Sequence, residues 1–349
     1  MLKKLVNYLR KNHPETYFSL VSLSDKLKHQ KKTIHIFDNC GGSFKKYIAE
    51  EDMTARLENL KSNLDEYSKK TVDTLFERLL NYPESHYGVE VKQDLSTTIG
   101  GLLDEESDET RKKVKKQMKQ VNKQFRFARN NMDPSVFYFD HGLVYLPEGI
   151  KDYLNNQDFI DLGAYFGDSA LSLSKYNYKK IYSVEFSPKA IENYKVWMNK
   201  NNINPLKYQI VQAAMSSSDD NPPIYLSGND YTLYSDLRSD KDNSTIEVKQ
   251  RSLDSIVNEH AIAPKLIKAD IEGYALECMK GAKETLTKHR PVLSLAIYHN
   301  PYEFFETKPY LESILSDYTY MIRKMATVPF GLRSHAETIL MAYPNEIVK

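Results

Sequence analysis

After about residue 132, short apolar runs alternate with helix-patterned segments, and this alternation limits the fold more than any other feature of the chain. The runs expected as strands are 158–163, 180–186, 207–214, 264–271 and 291–298, with helices near 167–176, 188–200 and 273–288. Leu-Ile-Lys-Ala-Asp-Ile at 266–271 and Val-Leu-Ser-Leu-Ala-Ile at 292–297 are almost continuously apolar. Parallel strands covered on both faces read that way, so the expected fold is α/β with a doubly wound sheet. Late strands near 318–324 and 337–342 would add an antiparallel edge. Before them, Phe137 to Leu146, with Asp140-His141-Gly142 in its middle, reads as a small hairpin.

The first 132 residues have a different texture. Met53, Leu57, Leu60, Leu64, Tyr67, Val72, Leu75 and Leu79 form one stripe at helical spacing, so a single amphipathic helix with a coiled-coil-like seam is expected to end before Pro83. A second helix follows the acidic run at 104–109, with Val114, Met118, Val121 and Phe125 as its stripe. The two would form a helical hairpin, a homodimer seam, or both. The expected division is a helical region over 1–132 and an α/β domain over 133–349.

Charge divides with the texture. The whole chain carries 48 Lys+Arg against 47 Asp+Glu, which excludes a uniformly basic nucleic-acid binder. Yet residues 111–129 hold nine basic side chains and no acidic one. That helix suits a solvated face or a dock for an anionic surface; aromatics are not interleaved, so no specific nucleic acid is expected. Cys40 and Cys278 are too few and too far apart for a disulfide framework, the start lacks an apolar signal-peptide core, and no run approaches ~18 consecutive apolar residues. A cytoplasmic protein is expected, peripheral to the inner membrane face if the basic helix docks there.

Three segments carry chemistry. Asp161-Leu162-Gly163-Ala164-Tyr165-Phe166-Gly167-Asp168-Ser169 follows an apolar strand and opens a helix, where glycines admit a ligand and free N–H groups meet a carboxylate or phosphate. Its G-x-x-x-G spacing is not the G-x-G-x-x-G of dinucleotide sites, which argues against a nicotinamide-dependent oxidoreductase. Asp161 would repel a pyrophosphate but suits an ammonium, which S-adenosylmethionine has. Glu185 closes the second strand, where an acidic residue can accept both ribose hydroxyls. In Leu266-Ile-Lys-Ala-Asp-Ile-Glu-Gly273, alternation puts Lys268 and Asp270 on one strand face, a structural ion pair or part of a site. His299 follows the next strand and, with Asp270 and Glu272 beside it, is a candidate general base; a divalent cation on the three ranks below acid–base work, so no metal is expected.

These residues, in this order, resemble the FkbM family of S-adenosylmethionine-dependent methyltransferases. The resemblance rests on DLGAYFGDS at 161–169, YSVEFSP at 182–188, SLDSI at 252–256, LIKADIEGYALECMKGA at 266–282 and RPVLSLAIYHNP at 290–301, and covers roughly 135–345. It implies a class I Rossmann-like sheet of seven strands, one antiparallel, and O-methylation, commonly of a sugar, glycan or related metabolite. It also implies that Asp161, Gly163, Ala164, Tyr165, Gly167, Asp168 and Ser169 hold the methionine end of the cofactor. Glu185 and Phe186 would meet the ribose, Ala213 and Ala214 the adenine, and Asp270 the methyl-donor end. His299, assisted by Asp270, Glu272 and Lys268, would do the chemistry, with Tyr298 and Asn300 toward the substrate. Many relatives have Asn where this chain has Tyr165, and a further Glu where it has Ala275.

Overall fold

A computed structural model describes residue 20 and residues 33–37, 41–81, 86–90, 101–126, 132–227, 245–325, 332–333 and 335–348. Its centre is a seven-stranded sheet of β1 (Asp158–Leu162), β2 (Lys180–Glu185), β3 (Tyr208–Gln212), β4 (Pro264–Ala269), β5 (Val292–Ala296), β6 (Tyr318–Lys324) and β7 (Thr338–Pro344). The order is β6-β7-β5-β4-β1-β2-β3, and β7 runs opposite to the other six strands. The near-continuous apolar runs are buried on both faces: Ile160, Leu162, Ile267 and Leu293 enter one core, Phe159, Ile181, Leu266 and Val292 the other. This is the doubly wound α/β sheet expected from the alternation, in the class I Rossmann-like form that the resemblance implies.

The N-terminal stripe forms two helices, α1 (Met53–Lys61) and α2 (Glu66–Asn81), not one. Ser62 caps the first, Asn63 turns left-handed at φ 55°, and the Asp65 side chain caps the second by accepting from the Ser68 N–H at 2.9 Å. The stripe itself is used: Leu60, Leu64, Val72, Leu75 and Leu79 are buried in the core that also holds Ile322 and Leu340 of the sheet. The basic helix α3 (Asp108–Gln124) buries Val114 and Val121 in the other core, against Val136 and Phe137. The two stripes thus face different cores instead of each other, and both are consumed within the chain. Within the N-terminal region a buried bidentate pair ties α2 to the turn before α3, Arg78 Nη1 and Nη2 donating to Glu106 at 2.8 Å each.

Three further expectations change. The aromatic run after Asp133 is not a hairpin but a helical turn, Pro134–Phe137, followed over Asp140–Tyr145 by 3-10 turns interrupted by a left-handed kink at His141 and Gly142. Asp133 with Pro at the next position is a helix start, and Asp133 Oδ1 accepts from the Ser135 N–H at 2.8 Å. The helix expected over 273–288 breaks into Ala275–Lys280 and Lys283–His289 at Gly281, where a side chain would meet the Ser216 carbonyl oxygen at 2.4 Å. Strands 33–37 and 86–90 pair antiparallel, so the N-terminal region is not helical throughout. Residues 127–129 of the basic segment lie outside the described residues. No helix among the described residues is long and apolar enough to cross a membrane.

Candidate functional site

The glycine turn after β1 is shaped by its protein neighbours. Gly163 has φ 74°, and a Cβ there would lie 1.9 Å from the Asp270 carbonyl oxygen; Gly167 has φ 85°, and a Cβ would meet Met198 and Tyr194 at 2.8 and 2.9 Å. Both glycines are therefore demanded by close packing and by left-handed backbone, before any ligand enters. Tyr165 between them is also left-handed, at φ 44°, and its N–H donates to Glu185 Oε2 at 2.8 Å.

At the carboxyl ends of β1, β2 and β4 lies a cavity of roughly 280 Å³. Of the residues expected to bind cofactor or substrate or to do the chemistry, Gly163, Tyr165, Asp168, Ser169, Glu185, Phe186, Ala213, Ala214, Lys268, Asp270 and Glu272 line it. Asp161, Ala164, Gly167, Tyr298, Asn300 and His299 do not. Asp161 is fully buried and pairs with Lys268 Nζ at 2.9 Å; the two residues are also direct register partners on neighbouring parallel strands. Lys268 donates further to the Gly163 carbonyl at 2.9 Å. Burial alone would lower its pKa, but Asp161 and Asp270 outweigh burial and hold it raised. The ammonium role expected of Asp161, and the part expected of Lys268 beside Asp270, give way to a buried lock between β1 and β4. Asn300 caps the following helix by accepting from the Glu303 N–H at 2.9 Å and donates to the Gly273 carbonyl at 2.8 Å, a structural part instead of a substrate contact.

His299 also changes role. Nε2 lies 3.3 Å from Asp270 Oδ1 and 3.5 Å from Glu272 Oε2, and Nδ1 lies 3.2 Å from Glu303 Oε2. Burial opposes the imidazolium, yet the hydrogen bonds to Asp270 and Glu303 prevail and raise its pKa well above the ordinary histidine value. With both ring nitrogens facing carboxylates the imidazolium form is favoured, so His299 is better placed to hold carboxylates than to take a proton. It is a buried positioning residue for Asp270, Glu272 and Glu303. Asp270 is accordingly held at about 2: burial works against its ionisation, and His299 with Lys268 reverses that. Glu272 goes the other way. Burial, with Asp270 and Glu303 adding to it and His299 opposing, pushes it up to about 7. Left-handed backbone at Glu272 (φ 54°) and Gly273 (φ 103°) turns this residue at the end of β4.

At the opposite end Glu185 accepts from the N–H groups of Tyr165 and Ser187, each at 2.8 Å, while burial pushes its carboxyl up to about 7. Ala213 and Ala214 form a small-residue wall after β3. Asp168, at the start of the short helix, is likewise pushed up to about 7 by burial. The sequence reading missed Asp133, Ser135, His141, Met215, Tyr274 and Glu337, which also line the cavity. His141 sits on the segment expected as a hairpin, and Asp133 and Ser135 sit just before it, where the Asp-Pro helix start was the one signal. Among the described residues, no group of three or more His, Cys, Asp or Glu is placed to hold a metal ion.

Residues 161–322 match the family model described as a methyltransferase FkbM domain. No curated protein matches the chain. Among solved structures the chain is similar to the FkbM methyltransferase of Methylobacillus flagellatus KT, at 18% identity and a TM-score of 0.53, over 88% of this chain and 61% of that one. It thus spans less than two thirds of that protein's length. It is also similar to an O-methyltransferase from Bacillus cereus in complex with SAH, at 11% identity and a TM-score of 0.40, over 68% of this chain and 91% of that one. A third is the O-methyltransferase TomG from Streptomyces achromogenes, in complex with SAM, at 9% identity and a TM-score of 0.37, over 68% and 90%. By the family match, on a fold shared with the first of these structures, residues 161–322 belong to the FkbM methyltransferase family.

Proposed function

We propose that the chain is an S-adenosylmethionine-dependent methyltransferase acting on a hydroxyl oxygen of a sugar, glycan or related metabolite. One observation supports this above others: Glu185 and the pair Asp270 and Glu272 line a single cavity at the carboxyl ends of β2 and β4. α/β sheets hold nucleosides at such a carboxyl edge. The donor set fits the cofactor part by part. Glu185 can accept from a ribose diol, Ala213 and Ala214 leave room for a flat base, and Ser169 lines the cavity at the first turn of the helix Asp168–Ser172. Acidic groups at the other end suit a cation and, beyond it, the hydroxyls of an acceptor.

Bound S-adenosylmethionine supplies an electrophilic methyl group. The chain's part is to place the acceptor hydroxyl and remove its proton. Positioning can contribute ~7–11 kcal/mol. Glu272, with a pKa near working pH, takes the proton; Asp270, ionised, accepts a hydrogen bond from the acceptor, and His299 holds both carboxylates in place. The test is transfer of labelled methyl from S-adenosylmethionine to a panel of nucleotide sugars, free glycans and lipid-linked glycans. Label on a sugar oxygen is expected; label on nitrogen, carbon or nothing in the panel counts against the sugar reading.

Glu185→Gln is expected to weaken cofactor binding about 10- to 100-fold, since a charged acceptor is lost and the amide NH₂ faces a backbone N–H donor. Isothermal titration checks it, and an unchanged dissociation constant removes the ribose role. A partner reading rests on α3. Lys112, Lys115, Lys116, Lys119 and Lys123 are exposed while Val114 and Val121 are buried, so the helix offers charge without an insertable apolar face. It serves as an electrostatic dock for an anionic surface that carries the acceptor. Sedimentation with acidic liposomes should fall as salt rises; salt-independent or absent binding defeats the dock.

A further inference from the structure

His141 lines the cavity yet has no place in the roles assigned so far. It is 5% exposed, and its Nε2 has no hydrogen-bond partner among the described residues. Buried polar atoms in folded proteins are almost always bonded, so an orphan of this kind calls for a reason. The backbone sharpens the question. Asp140, His141 and Gly142 are all left-handed, at φ 51°, 54° and 89°. Such conformations are costly for residues other than glycine and gather at functional sites. The turn is pinned nonetheless: Ser294 Oγ donates to the His141 carbonyl at 2.6 Å, and a side chain at Gly142 would strike Met341 Sδ at 2.5 Å. The fold thus accepts backbone strain to hold, in a residue that lines the cavity, an imidazole with a buried and unbonded nitrogen.

The charges around that wall say what the nitrogen is for. Asp133, Asp168 and Asp270 line the same cavity, and Asp270 is ionised. The one lining lysine, Lys268, is already engaged by Asp161. A cationic ligand group belongs there, and Asp161, the expected partner of such a group, is sealed from the cavity. Burial keeps His141 uncharged, with Lys268 adding to the effect and Asp270 opposing it, so the ring retains a lone pair. We propose that His141 accepts a hydrogen bond from the ammonium group of the methyl donor, in the place that Asp161 cannot fill. The inference rests on the reading of this cavity as the S-adenosylmethionine site.

Three probes separate the possibilities in titrations of the full chain: S-adenosylhomocysteine, its decarboxylated analogue, which keeps the amine, and 5′-methylthioadenosine, which has neither group. His141→Asn suits the test because Asn tolerates left-handed backbone. It should weaken the first two probes about 10- to 100-fold, the range for a hydrogen bond to a charged group, and leave the third unchanged. His141→Gly, equally at ease at this φ, should show the same pattern and guards against a folding defect in the first variant. Unchanged affinity for S-adenosylhomocysteine in a folded variant overturns the proposal. So does an equal loss for all three probes, or a loss confined to the probe with the carboxylate. Wild-type protein that binds none of the three overturns the cofactor reading itself, and the His141 proposal with it.

Discussion

Replacing Glu272 by glutamine is expected to slow methyl transfer about 10²- to 10⁴-fold, the usual contribution of a positioned base. The same change should remove the acidic limb of the pH–rate profile. The sign follows from the direction of the shift. The carboxylate form takes the proton, and burial, aided by the negative charges of Asp270 and Glu303, places the midpoint at about 7. The wild-type rate should therefore climb as pH rises through about 7 and level off above it. Asp270 cannot give this limb, because it stays ionised down to about 2. Nor can His299, whose nitrogens both face carboxylates. A profile of kcat for Glu272→Gln that keeps the wild-type height and limb would show that the proton goes elsewhere.

Lys268→Met is expected to cost about 3–5 kcal/mol of stability, because it strands a buried carboxylate without its cation. Asp161 is fully buried, and Lys268 is its partner in both register and charge. The methionine also abandons the Gly163 carbonyl, which accepts from Nζ at 2.9 Å. Chemical denaturation measures the loss. A penalty below about 1 kcal/mol, the scale of an exposed pair, would mean the lock is not what joins β1 to β4 at this point.

Much of this was legible before the structure. The strand at 318–324 falls where the apolar pattern put it, and Glu185 and Asp270 stood out as charges closing apolar runs. Such charges are conspicuous because an unpaired one would be costly inside a sheet. What failed was pairing. Lys268 and Asp161 are more than a hundred positions apart, and only sheet register makes them neighbours. His299 was read with Asp270 and Glu272 but without Glu303, although Glu303 lies four residues on and was open to inspection. Its addition places a carboxylate at each ring nitrogen, which favours the imidazolium and disfavours a base. The break at Ser62 was hidden by a stripe that continues across it, since spacing records which face is apolar and not whether the backbone is continuous. The turn holding His141 was lost because aromatic density resembles a strand, while left-handed backbone at Asp140 and His141 leaves no mark on residues other than glycine.

The central claim is that one cavity, between Glu185 and Glu272, holds the methyl donor. A crystal structure with S-adenosylhomocysteine bound tests it most directly. The ribose hydroxyls are expected within hydrogen-bond distance of the Glu185 carboxylate, the adenine beside Ala213 and Ala214, and the sulfur toward Asp270 and Glu272. A nucleoside bound away from Glu185, or a sulfur pointing away from the end of β4, would contradict the account.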